Sequence, residues 1–185
     1  MAGLRSYKKA DSMSTFAVKT TTYLRNLYNG NRSYAYKNKR TDTKSTTLQQ
    51  ADQTALRKGI QSLADWDYDN DEKNKEEVTK GRFYSTLKAF TGAYNFTIDS
   101  GTASSSDHTI KNATKQLKAL TDSYSDKLSG YGITVDKNGY MSLSDSAVDN
   151  IDIKNFKSLF GSDSEYMKEL TALSKKTSRR IDTYA

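Results

Sequence analysis

"GITVDKNGYMSLSD", residues 132–145, is the stretch whose reading decides the fold. It carries two short apolar alternations around a turn. It also carries aspartate, asparagine and glycine at spacings that a calcium loop would use. Opposed residues of a hairpin point to the same face of the sheet, so candidate registers can be compared. A two-residue loop at Asn138-Gly139 opposes Val135 to Ser142 and Thr134 to Leu143, and neither face is then cleanly apolar. A three-residue loop, Lys137-Asn138-Gly139, opposes Asp136 to Tyr140, Val135 to Met141, Thr134 to Ser142 and Ile133 to Leu143. One face now gathers Ile133, Val135, Met141 and Leu143, and the other is polar. A slip of one residue would reverse every side chain, so the pattern specifies the register. Three-residue hairpin loops are commonly a type I turn closed by a residue in the left-handed region. Gly139 stands at that position, where the missing Cβ removes the steric cost. The calcium alternative would place Thr134 first and Asp145 twelfth, where a carboxylate and a bidentate glutamate are required. The stretch therefore predicts a hairpin over 132–144.

Working outward, the 185 residues suffice for one ordinary domain with some chain to spare. Only 35% are hydrophobic, a lean supply for a core that leaves room for an extended segment. Cysteine is absent, which excludes a disulfide frame and thiolate chemistry. Proline is absent as well, which permits long uninterrupted helices. No apolar run reaches the roughly 18 residues of a membrane-spanning helix. "MAGLRSYKKADSMSTFAVK" lacks the continuous apolar centre of a secretory signal, so the expectation is a cytoplasmic protein or export by a route that does not read one. Residues 1–44 hold ten Lys or Arg and two Asp, a net of +8, while the remainder holds nineteen against twenty acids, a net of −1. The basic character belongs to an N-terminal arm.

That arm, 1–45, is expected to be partly flexible. It holds one amphipathic candidate helix through Phe16, Tyr23, Leu24, Leu27 and Tyr28, then a polar, tyrosine-dotted linker. The domain over 46–185 is predicted to be mainly α, with long coiled-coil-like helices, one inserted β-hairpin and short helices. Leu48, Ala51 or Ala55, Leu56, Ile60 and Leu63 mark the stripe of a first helix. Phe83, Leu87, Phe90 and Tyr94 mark a second, and "IDSGTASSSD" (98–107) reads as a loop. Asp107 suits the N-cap of a third helix through Ile110, Ala113, Leu117, Leu120 and Tyr124, with Leu128 one turn on. Beyond the hairpin, Ser144 could cap a short helix at "DSAVDN". Asp152 could cap another that groups Phe156, Leu159 and Phe160. A final helix, about 163–183, presents Tyr166, Met167, Leu170, Leu173 and Ile181.

In that order the segments resemble the flagellar filament capping proteins, hook-associated protein 2. "LKAFTGAYNFTID" (87–99) resembles the family's helix with an apolar-aromatic stripe ending in a Tyr-Asn pair, here Tyr94-Asn95. "LSGYGITVDKNGYMSLSDSAVDN" (128–150) resembles its Leu-x-x-x-Gly-Ile lead-in, its hairpin and its short acidic helix, and "FKSLFG" (156–161) its next step. The resemblance spans about 75–185, the C-terminal half of the family. It implies a secreted, non-enzymatic protein of the bacterial flagellum, important for cell motility. Such a protein would be an oligomer, exported without cleavage, with flagellin or other axial proteins as partners and coiled-coil contacts between terminal helices. The family's Gly-rich start and outer domains are not evident here. The alternative is a cytoplasmic binding module whose basic arm engages nucleic acid or another acidic partner.

Other candidate sites are weighed against plainer roles. Asp65, Asp67, Asp69 and Glu76 occupy positions one, three, five and twelve of a possible calcium loop, but Asn70 replaces its central glycine. The plainer reading is a solvated connector whose carboxylates favour the next helix N-terminus. His108 reads as a first-turn helix residue and Trp66 as an anchor over a helix junction. No nucleophile–base–orienter set and no Gly-rich phosphate loop is present, so neither catalysis nor a cofactor is expected. Phe83, Leu87, Phe90, Tyr94, Leu117, Leu120, Leu170 and Leu173 are candidates for core or for self-association.

Overall fold

The computed structural model describes Arg40 and residues 44–103, 108–144 and 152–184, with side chains as far as Arg179. The chain divides between Thr43 and Lys44, and the elements described belong to the unit from Lys44 onward. The candidate helix of the arm and most of its linker, the Asp107 cap, the "DSAVDN" helix and the Ile181 side chain lie outside the described residues.

Seven helices and one hairpin are formed among the described residues. In chain order they are α1 (Ser45–Ala64), α2 (Asp71–Asn74), α3 (Glu77–Ala103), α4 (His108–Ser123), α5 (Ser125–Ser129), β1 (Ile133–Val135), β2 (Met141–Leu143), α6 (Ile153–Phe160) and α7 (Glu165–Tyr184). The expected class, mainly α with one inserted hairpin, is the one observed. The four long helices pack around a square, α1 on α3, α3 on α4, α4 on α7 and α7 on α1. Successive members run in opposite directions, an up-down-up-down four-helix arrangement with α2 in the α1–α3 connection and α5, the hairpin and α6 in the α4–α7 connection.

The periodic apolar residues explain most of this packing. Leu56, Ile60 and Leu63 of α1 face Phe83, Leu87, Phe90, Tyr94 and Ile98 of α3, while Leu117, Leu120, Met167 and Leu170 close the core from α4 and α7. Two sequence expectations are corrected. Ala51 and Ala55 are exposed, and Gln49, Asp52 and Gln53 occupy the buried face of the first half of α1. Residues 98–103 are the last turns of α3 and not a loop. Glycine and serine there read as turn formers, but Gly101 serves close approach: a Cβ at this position would overlap the Thr114 hydroxyl of α4. Ser100 returns its hydroxyl to the Phe96 carbonyl at 3.1 Å and so stays satisfied inside the helix. On α4, Thr114 takes the buried position and Ala113 is only half-buried.

Candidate functional site

The hairpin has the register that its side-chain pattern demands. Ile133 pairs with Leu143, Thr134 with Ser142 and Val135 with Met141. Gly139 adopts φ +81°, the left-handed conformation that closes the turn. The Asp136 carboxylate accepts hydrogen bonds from the Asn138 and Tyr140 amides, each at 2.8 Å, and its carbonyl accepts from the Gly139 amide at 2.8 Å. An aspartate before a turn thus supplies the local bonds that a calcium ligand would otherwise compete for. Ile133 and Met141 are buried, Val135 and Leu143 half-buried.

Asn95 of α3 holds the hairpin to the bundle. Its amide nitrogen donates to the Met141 carbonyl at 2.8 Å, and its amide oxygen accepts from the Met141 amide at 2.9 Å. The side chain copies one rung of a β ladder and satisfies a strand that would otherwise present an open edge. One turn along α3, Asp99 accepts from the Tyr140 hydroxyl at 2.7 Å. That bond is the main reason the Tyr140 phenol is held above its usual range, since it favours the neutral donor. The Lys118 ammonium lies over the Tyr140 ring at 5.6 Å, and its side-chain carbons occupy the space beside Gly139.

Nine aromatic rings, Tyr124 beside Tyr166 among them, gather where α6 closes over the bundle. Phe83 meets Trp66, Tyr68 and Phe156 edge-on at centroid distances of 4.9, 6.0 and 5.0 Å. Phe160 meets Phe90 at 5.9 Å and Tyr166 at 6.2 Å. Tyr131 lies 4.7 Å from Phe156, and its hydroxyl reaches the Asn155 carbonyl and the Ser158 hydroxyl. Asp152 caps α6 through its own carboxylate, as its position suggested. Beneath the rings, the hydroxyls of Tyr94, Thr121 and Tyr166 are buried without a hydrogen bond of good geometry. Burial pushes the Tyr94 phenol up to about 12 and Tyr166 further still, and the facing Thr121 hydroxyl offsets this only in part.

No family, curated protein or solved structure matches the chain. The remaining predicted site residues are therefore placed by geometry alone. Phe83, Leu87, Phe90, Tyr94, Leu117, Leu120 and Leu170 all sit in the core of the single chain, and Leu173 packs half-buried at its edge. The acidic connector is an ordered turn. Asn74 donates to the Asp67 and Tyr68 carbonyls, and Asn70 caps α2 by accepting from the Lys73 amide. Asp69 pairs with Lys157 at 2.6 Å and Asp71 with Lys154 at 3.1 Å, so these carboxylates tie the connector to α6. Asp65, Asp67, Asp69 and Glu76 do not converge, and no group of three or more metal-ligating side chains capable of holding an ion occurs among the described residues. Trp66 anchors the same junction through its indole N–H to Asn74 at 3.4 Å. His108 opens α4. The roles of Asn95 and Asp99 escape sequence reasoning because a half-buried amide facing a strand 46 residues away leaves no local signal.

Proposed function

We propose that the chain is a non-enzymatic structural protein that resembles the flagellar filament cap and works by helix packing and self-association. One observation carries the reading. The three stretches that bear the resemblance are joined physically: Asn95 from the first clamps Met141 of the second, and Phe90 of the first meets Phe160 of the third. Landmarks that recur in order in a sequence are better explained when they build one packed unit. In this reading the protein reaches the flagellum by export without cleavage and meets flagellin or another axial protein there. The apolar stripes are consumed inside the chain, so self-association falls to the surface, where Val78 and Phe96 are the exposed large apolar side chains among the described residues. No described helix is long and apolar enough to cross a membrane.

The test is to probe purified filaments for the chain and to measure its mass by light scattering after size exclusion. Filament association and an oligomeric mass are expected. A monomer confined to the cytoplasm and retained on nucleic acid at low salt would overturn this reading. It would favour the binding module suggested by the net +8 of residues 1–44.

A further inference from the structure

A groove of about 550 Å³ runs between α1 and α7. Arg57 and Lys58 of α1 and Lys175 of α7 line it, and all three are exposed. None of the three forms an ion pair with another described residue. Asp65 is the one carboxylate in the lining. Ile60, Ala64 and Thr171 also line the groove and make it partly apolar. We propose that this groove docks an acidic amphipathic segment of a partner protein, with carboxylates on the three cations and an apolar face on the apolar lining.

Two features favour a peptide over a nucleic acid. No aromatic side chain lines the groove, so there is no stacking platform for bases. The apolar part of the lining has no counterpart to receive on a phosphate backbone, whereas it suits the apolar stripe of an acidic helix. Arg57 and Lys58 stand on one side of the helix–helix seam and Lys175 on the other, so a ligand lying along it can engage both walls at once. This inference does not rest on the cap-like reading and holds for any partner that presents such a segment.

The experiment uses the full chain and a fluorescent 18-residue probe peptide with leucine at helical spacing and glutamate elsewhere. Anisotropy titrations compare the parent with a triple variant, Arg57→Glu, Lys58→Glu and Lys175→Glu. A control triple, Lys75→Glu, Lys88→Glu and Lys137→Glu, changes net charge equally at exposed positions away from the groove. Reversing three exposed charge contacts should weaken binding about tenfold. The control should keep most of the affinity, and a peptide with glutamine in place of glutamate should bind poorly to the parent. Circular dichroism checks that both variants keep their helices. Equal losses in the two triples, or none in either, would assign binding to general charge or to the basic arm and overturn the proposal. Groove-dependent binding of a single-stranded oligonucleotide with no binding of the peptide would overturn it too.

Discussion

The two ends of the four-helix unit are built from different chemistry. At one end Leu56, Leu63, Phe83, Phe90, Phe156 and Phe160 interlock, and the buried polar atoms beside them are few, chiefly the Tyr94, Thr121 and Tyr166 hydroxyls and the Asn74 amide. At the other, the same helices bury Gln49, Asp52, Gln53, Thr97, Ser100, Thr114, Ser174 and Thr177. Most hydroxyls there are returned to the carbonyl a turn earlier in their own helix, as Thr97 does to Ala93, Thr114 to Ile110 and Thr177 to Leu173. Those bonds satisfy the hydroxyl locally, so the threonine methyl can pack as an apolar group. Gln49 crosses to the Ser100 carbonyl at 3.2 Å, and Ser174 reaches Gln53 at 3.4 Å. Such bonds keep the buried groups paired but contribute only about 1 kcal/mol each, less than a buried aromatic side chain. The aromatic end should therefore carry the stability, and the polar end should specify the fit.

The largest break in that comparison is Phe83→Ala, which removes the ring shared by Trp66, Tyr68 and Phe156. It should cost about 3–5 kcal/mol in urea unfolding. Asn95→Ala comes next, at about 2 kcal/mol, because it leaves the Met141 amide and carbonyl without their partners. Faster hydrogen exchange at the Met141 amide, with the helices unchanged, would place the loss at the hairpin dock.

At the polar end, Gly101→Ala should destabilise by about 1–2 kcal/mol although alanine is the better helix former, because the added Cβ overlaps Thr114. Combining it with Thr114→Ala should recover part of the loss, and simple additivity would show that the two positions do not touch. Replacing Gln53 and Ser174 together by leucine and alanine should leave stability unchanged or raise it by about 1 kcal/mol. A large loss would mean that the polar end is held by its hydrogen bonds and not by shape.

These contrasts also mark what the sequence could reveal. The hairpin was legible because its alternation admits one register with an apolar face, and Ile133, Val135, Met141 and Leu143 have that pairing. The stripe of Phe83, Leu87, Phe90 and Tyr94 was legible because its spacing is helical and its residues are apolar. The polar end was not. Gln49, Asp52 and Gln53 look like a solvated face, and Ser100-Gly101 like a turn, until a neighbouring helix supplies the partner. The acidic connector reads as a solvated segment, but two of its carboxylates, Asp71 and Asp69, meet Lys154 and Lys157, more than eighty residues away.

The smallest effect expected is alkaline. The buried phenols of Tyr68, Tyr94 and Tyr166 are all raised by burial, Tyr94 to about 12. An unfolded tyrosine ionises near pH 10, so above that pH the unfolded state binds fewer protons than the folded one. Their contribution is intact below about pH 10 and is lost as pH rises through the folded values. Tyr94→Phe removes one such group and one unsatisfied hydroxyl. It should be near neutral at pH 7 and should make the fall in stability between about pH 10 and 12 shallower.

Native-state hydrogen exchange under increasing denaturant tests the division between the two ends most directly. Amides from Leu56 to Leu63 and from Phe83 to Phe90 should open only with global unfolding. Those from Gln53 back to Gln49, and from Thr97 to Gly101, should open at lower free energy through local fraying. Uniform opening energies along α1 and α3, or the higher energies at the polar end, would contradict the account.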